Sequence, residues 1–188
     1  MCGRYNFIIE QSEEIQEIQE QLNASFQGKK ARLGEIFPTD PVPILVGAGG
    51  RISPVLGTWG FPRFDQKGVI INARAETAFE KKIFRDSLLN RRCIIPSTGF
   101  YEWDDKKKKY LLRMEGTNAL YMAGLYMNYG NELRYVILTT DANESVKEIH
   151  NRMPLVIPKE EITAWITDYS MTNDFLRRVP PCLVKEVI

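Results

Sequence analysis

The residue with the most chemical reach is the second one. Once Met1 is removed, Cys2 carries an amine and a thiol on adjacent carbons, a pair that no internal cysteine can offer. Methionine aminopeptidases act when the next side chain is small, and cysteine qualifies. The amine condenses with an aldehyde to an imine, and the thiol then closes a five-membered thiazolidine ring. An α-amino group titrates near about 7.7–8.0 and a lysine near about 10.4, so at neutral pH its nucleophilic fraction is roughly 400-fold larger. The thiol, with a reference value near about 8.5, adds appreciable thiolate. A cysteine at position 2 is often incidental, so the case depends on what else the chain carries.

The chain has one histidine, His150, in the run Ile149-His150-Asn151-Arg152-Met153-Pro154. Placed at the end of a helix, its imidazolium form would be favoured, and it could donate to a sugar hydroxyl while Arg152 holds a phosphate. A structural histidine is the plainer alternative. Glu102 sits in Gly99-Phe100-Tyr101-Glu102-Trp103. A carboxyl among aromatics is partly desolvated, which raises its pKa and suits proton exchange near neutrality. Strand alternation puts Phe100 and Glu102 on one face and Tyr101 and Trp103 on the other; an outward-facing Glu102 is the alternative. In Asn72-Ala73-Arg74-Ala75-Glu76, Asn72 and Arg74 share a side and suit a sugar phosphate, with an Arg74–Glu76 salt bridge as the bland reading. Trp59, near Pro38, could stack on bases or be buried. Arg4, Arg74, Arg85 and Arg152 could track a phosphate backbone.

Elements must position these groups. A helix is expected over Ser12–Leu22, with Ser12 as cap and Ile15, Ile18 and Leu22 on one face. Pro38, Pro41 and Pro43 forbid helix and lead into a strand at Ile44–Val46. Gly47, Gly49 and Gly50 signal a hairpin turn. Val69–Ile71 reads as a strand, and a helix from about Thr77 buries Phe79, Ile83 and Phe84. Strands follow at 93–95, 99–103, 110–114, 120–126 and 135–139, with a solvated turn over Asp104–Lys109. A helix over Asp141–His150, capped by Asp141 or Asn143, is stopped by Pro154. Another starts near Pro158. The sum is an α+β domain over residues 1–188, with a large, mainly antiparallel, barrel-like β core flanked by helices.

The bulk numbers bound the partners. The 188 residues are 44% apolar and 26% charged with a formal charge of +1, which fits a globular chain and does not advertise a polyanion partner. A basic groove on one face is compatible with that total. No leader or membrane span is legible. Three scattered cysteines argue against disulfides and a zinc site and for a reducing cytoplasm. We therefore expect no cofactor, no metal, no membrane partner and a monomer.

The ordered set Cys2-Gly3-Arg4-Tyr5, Pro38-Thr39, Trp59-Gly60, Asn72-Ala73-Arg74-Ala75-Glu76-Thr77, Arg91-Arg92-Cys93-Ile94-Ile95-Pro96, Gly99-Phe100-Tyr101-Glu102-Trp103, Ala123-Gly124-Leu125, Thr139-Thr140 and His150-Asn151-Arg152-Met153-Pro154 resembles the SOS response-associated peptidase (SRAP) family of abasic-site processing proteins. The resemblance implies a compact α+β domain with a positive groove for single-stranded DNA. By it, mature Cys2 forms a thiazolidine with a ring-opened abasic sugar, a lyase-like cross-linking chemistry. Asn72 orients Cys2, Glu102 assists proton transfers, and His150 hydrogen-bonds the opened sugar. Arg4, Arg74, Arg85 and Arg152 become DNA contacts, and Trp59 with Pro38 stacks beside the lesion. The family name also implies a cysteine-type peptidase activity limited to exposing Cys2. Where the family carries an aliphatic residue and a Pro before a second Trp, this chain reads Phe61-Pro62-Arg63-Phe64; Asn151 stands where Asp is usual, and the segment after Trp165 is short.

Three functions compete. Covalent capture of abasic sites needs Cys2, Glu102 and His150 together. A hydrolase acting in trans would use Cys2 as nucleophile and His150 as base. A non-catalytic DNA-binding module would use only the arginines and Trp59.

Overall fold

The computed structural model describes residues 3–25, 30–65 and 67–188; Met1 and Cys2 lie outside them. Strand β1 (Tyr5–Phe7) leads through a 3-10 turn into helix α1 (Glu13–Ser25). The hydroxyl of Ser12 caps that helix, accepting from the Ile15 N–H at 3.4 Å. Ile15, Ile18 and Leu22 form its buried side, as their spacing requires. After β2 (Gly34–Ile36), strands β3 (Pro41–Ala48) and β4 (Arg51–Trp59) make a hairpin. Its turn passes through Gly49 at φ 58° and Gly50 at φ 78°, the positive pair that a tight two-residue hairpin demands. Pro41 and Pro43 lie inside β3, where only β4 pairs with it; the second neighbour joins at Leu45 and Val46. The missing N–H groups therefore break no ladder.

Short strands β5 (Phe61–Pro62), β6 (Val69–Ile70) and β7 (Asn72–Arg74) come next, then a 3-10 turn and α2 (Lys82–Asn90). The helix expected from Thr77 starts five residues later. The Thr77 carbonyl is taken by the N–H groups of both Glu80 and Lys81, a tight turn that the extended Lys81 ends before α2 begins. Phe84 is buried and Phe79 and Ile83 are half-buried. The chain continues through β8 (Arg92–Ser97), β9 (Gly99–Trp103), β10 (Lys109–Met114), β11 (Leu120–Tyr129), β12 (Glu132–Asp141) and β13 (Arg152–Pro154). It ends with α3 (Ile162–Thr167), α4 (Thr172–Arg177) and β14 (Leu183–Val187).

Five strands close a barrel in the order β11-β8-β3-β4-β12, with β12 returning to β11. Every pairing in it is antiparallel except β4 with β12. The barrel leaves no room at Gly124: a Cβ there would run into Ile95 Cδ1 and stand 2.8 Å from the Val136 carbonyl. A second antiparallel sheet runs β14-β10-β9-β1-β2. Arg92, buried, pins the helices to the barrel: its guanidinium donates to the carbonyls of Leu88 and Leu89 at the end of α2 and of Trp165 and Ile166 at the end of α3. That satisfies helix-end acceptors which would otherwise be buried unpaired. The α+β class and the mainly antiparallel barrel core are those expected from sequence.

One expected helix is absent. Residues 144–149 form consecutive turns, not a helix. The N–H groups of Val146 and Ile149 reach back three residues, and the Asn143 side chain accepts from both the N–H and the hydroxyl of Ser145. Such a local side-chain bond competes with the helix ladder, and the ten residues between β12 and β13 are too few to nucleate one cheaply.

Candidate functional site

Strand β12 changes partners halfway along. Its first half stays in the barrel, between β4 and β11. Its second half leaves it and gains β7 on one edge, through Ile137↔Asn72 and Thr139↔Arg74, and β13 on the other, through Thr139↔Pro154 and Asp141↔Arg152. The Asn72–Glu76 and His150–Pro154 motifs are thereby brought to opposite edges of one strand. The second sheet adds Arg4 and Glu102 through the β1–β9 pairing, in which the Tyr101 N–H bonds the Arg4 carbonyl at 2.9 Å. The two sheets are tied by the hydroxyls of Tyr5 and Tyr135, both fully buried and 2.6 Å apart.

Glu102 is 3% exposed and shares the inward face of β9 with Phe100. Burial raises its carboxyl above the usual range, and an electrostatic influence from His150 is among those acting the other way, so the two groups lie within electrostatic reach. Tyr101 and Trp103 occupy the opposite face, where the Lys109 ammonium lies 3.8 Å from the Tyr101 ring centre and 5.7 Å from that of Trp103. The alternation inferred from sequence thus holds, and Glu102 takes the inner side.

His150 is half-buried at the end of the turn segment. The helix terminus expected beside it does not form. Its ring is held instead by the backbone: Nδ1 accepts the Arg152 N–H at 2.9 Å. Asn72 is half-buried and Arg74 is exposed at the end of β7. Glu76 gives both carboxylate oxygens to Arg152, at 2.8 and 2.9 Å, in place of a salt bridge to Arg74. Burial alone would raise the Glu76 carboxyl, but the Arg152 hydrogen bonds outweigh it and hold the group below its ordinary value.

Two expected DNA contacts are corrected. Trp59 is 0% exposed. Its indole N–H donates to the Ile71 carbonyl at 3.0 Å, and its ring meets Tyr5 edge-on at 5.2 Å, so it buttresses the start of β7 and has no face for a base. Arg152 is also buried, at 8%. Besides Glu76, its guanidinium donates to Asp141 at 2.6 Å and to the Thr139 carbonyl at 2.7 Å; it is committed to the protein's own acceptors, not presented to a phosphate. Arg4 is half-exposed, 4.3 Å over the Phe37 ring and 5.2 Å over Trp103, and bonded to Glu35. Pro38 is half-buried in a turn whose Thr39 N–H bonds the Trp59 carbonyl. Arg85 is carried elsewhere, on the exposed side of α2, which packs on β8 and β11. Cys2 lies outside the described residues. Cys93 is fully buried and its thiol is pushed well up by that burial, which makes it chemically quiet. No group of three or more metal-ligating side chains occurs among the described residues.

Phe64, which in the sequence stands out only as part of a departure from the family pattern, carries no expected role. It is fully exposed in the turn between β5 and β6, flanked by an exposed Arg63 that is paired with Asp65. A lone aromatic in the polar run Arg63-Phe64-Asp65-Gln66-Lys67-Gly68, where no strand pattern demands one, was the available signal.

The family model described as SOS response associated peptidase (SRAP) matches residues 1–184. This chain belongs to the SRAP family. Among curated SRAP relatives, the abasic site processing protein YoqW of Bacillus subtilis (strain 168) is 32% identical over 196 residues, covering 94% of this chain and 85% of the relative. The abasic site processing protein YedK of Escherichia coli (strain K12) is 30% identical over 124 residues, 62% of this chain and 55% of the relative. A solved structure from Bordetella bronchiseptica superposes with a TM-score of 0.80 over 100% of this chain and 99% of that one at 23% identity, a likeness of fold. As an SRAP protein, this chain is an abasic-site processing protein by family.

Proposed function

We propose that this protein captures abasic sites in single-stranded DNA by a covalent bond to Cys2, after removal of Met1. The observation that carries the reading is Glu102: a carboxyl buried on the inner face of β9, raised by that burial, and within electrostatic reach of the chain's single histidine. A neutral α-amine attacks the C1′ aldehyde of the opened sugar and gives a carbinolamine. A protonated Glu102 delivers its proton to the departing hydroxyl, water leaves, and the iminium so formed returns its N–H proton to the Glu102 carboxylate to give the imine. The Cys2 thiol then adds to the imine carbon. A C–S bond forms, the imine π pair becomes the ring N–H bond, and the thiol proton is passed on through the carboxylate. Asn72 orients the aminothiol and His150 donates to the opened sugar. Arg4 and Arg74 supply phosphate contacts, and Pro38 with the exposed Phe64 offers apolar surface to the flanking bases.

A denaturing gel tests this. Purified protein mixed with an abasic single-stranded oligonucleotide should yield a slow-migrating adduct that resists denaturation, and Cys2→Ala should yield none. An adduct that persists in Cys2→Ala would end the proposal. Release of Met1 by the same cysteine is part of the reading, because only a free amine gives the ring; mass spectrometry of the purified chain is the check.

A further inference from the structure

The chain's single histidine is gripped at one nitrogen, and the grip belongs to a built device. Nδ1 of His150 lies 2.9 Å from the Arg152 backbone nitrogen, whose N–H points at it, and 3.3 Å from the Arg152 carbonyl oxygen; the shorter, directed contact makes Nδ1 the acceptor. A nitrogen that accepts an N–H carries no hydrogen of its own, so in the neutral ring the hydrogen sits on Nε2. The donor's position depends on where β13 begins, and Arg152 is the first residue of that three-residue strand, straight after the turn segment. Its guanidinium makes a paired bond to Glu76 at 2.8 and 2.9 Å, one to Asp141 at 2.6 Å and one to the Thr139 carbonyl at 2.7 Å. Glu76 lies in the 3-10 turn that follows β7, while Asp141 and Thr139 lie on β12. The clamp therefore joins all three strands of the extension, and paired Arg–carboxylate bonds are geometrically exacting.

From this we infer that Arg152 is a positioning residue for His150: clamped by Glu76 and Asp141, it fixes the ring in the Nε2–H tautomer, so that His150 serves the abasic sugar as a neutral hydrogen-bond donor and leaves proton transfer to Glu102. The inference rests on the proposed function for the identity of the acceptor, not for the tautomer. It separates two tasks that a pair of acid–base groups would otherwise share. A neutral imidazole that gave up its only hydrogen would become an imidazolate, whereas a protonated carboxyl gives up its proton readily.

Because His150 is the only histidine, its imidazole nitrogens give the only histidine side-chain signals in a ¹⁵N NMR spectrum of the full chain. In wild type, the unprotonated nitrogen of the neutral ring should be Nδ1. In Arg152→Ala and in Glu76→Gln the spectrum should shift toward a mixture of tautomers, with Arg152→Lys intermediate. Adduct formation by Arg152→Ala should slow by roughly 10–100-fold, a part of what a positioned acid–base group contributes. Affinity for undamaged single-stranded DNA, and its salt dependence, should stay at the wild-type level. A phosphate contact would behave in the opposite way, weakening binding to every sequence and lowering the salt slope by about one. That outcome, or a wild-type ring protonated on Nδ1, overturns the inference. If Arg152→Ala does not fold, Glu76→Gln removes only one arm of the clamp, and the wild-type spectrum needs no variant. A wild-type protein that forms no adduct would refute the proposed function while the spectrum still decides the tautomer.

Discussion

The two halves of β12 share a strand and are held by different forces. In the barrel half, Tyr135 and Val136 are fully buried, and close packing leaves no space even for a methyl group at Gly124. In the extension, pairing to β7 and β13 is short, and position is fixed by named polar bonds: Arg152 to Glu76 and Asp141, and the Arg152 N–H to His150. Burial is non-directional and tolerates many sequences of similar volume. Polar clamps fix angles and fail when one partner is changed. The barrel thus supplies stability, and the extension supplies geometry.

Substitutions can pull the two apart. The largest expected effect is on rate: Glu102→Ala should slow adduct formation by about 100–1000-fold, measured by single-turnover gel kinetics, with undamaged single-stranded DNA bound as before. In the barrel, Gly124→Ala should destabilise the fold by about 1–3 kcal/mol or more through overpacking, read as a lower urea midpoint. A larger loss of adduct than of folded protein in that variant would mean the halves are not separable. Phe64→Ala should weaken single-stranded DNA binding by about 1–3 kcal/mol and leave stability within about 0.5 kcal/mol. Trp59→Phe should do the reverse, since its indole N–H holds the Ile71 carbonyl inside the protein. The smallest effect is a pH trend. Burial raises the Glu102 carboxyl in the folded state; below the unfolded carboxyl value both states are protonated and burial costs nothing, and above it the folded state must increasingly hold a buried charge. Glu102→Gln should therefore gain stability over wild type as pH rises from the ordinary carboxylate range through the raised folded value. Denaturant midpoints across that range measure it, and a gain that shrinks with rising pH contradicts the assignment.

The same division explains what the sequence revealed. Periodicity located the Ser12-capped helix, the Gly49–Gly50 turn and the strand at Gly99–Trp103, because each depends on local chemistry or alternation. It failed at 141–150, where Asn143 and the closure of β12 on β13 override an acceptable helical pattern. It could not tell that Trp59 points inward and Phe64 outward, because both follow from how β5 and β6 leave the barrel. Arg152 read as a phosphate contact because its carboxylate partners lie 76 and 11 residues away and no spacing rule joins them. Those distant pairs set the site.

The most direct test of the account is the intact mass of the species formed with an abasic oligonucleotide, without any reducing agent. The account predicts a protein lacking Met1 joined to the oligonucleotide with loss of one water, and no such species from Cys2→Ser unless the imine is trapped by borohydride. An adduct that retains Met1, or one that Cys2→Ser forms equally well, would contradict it.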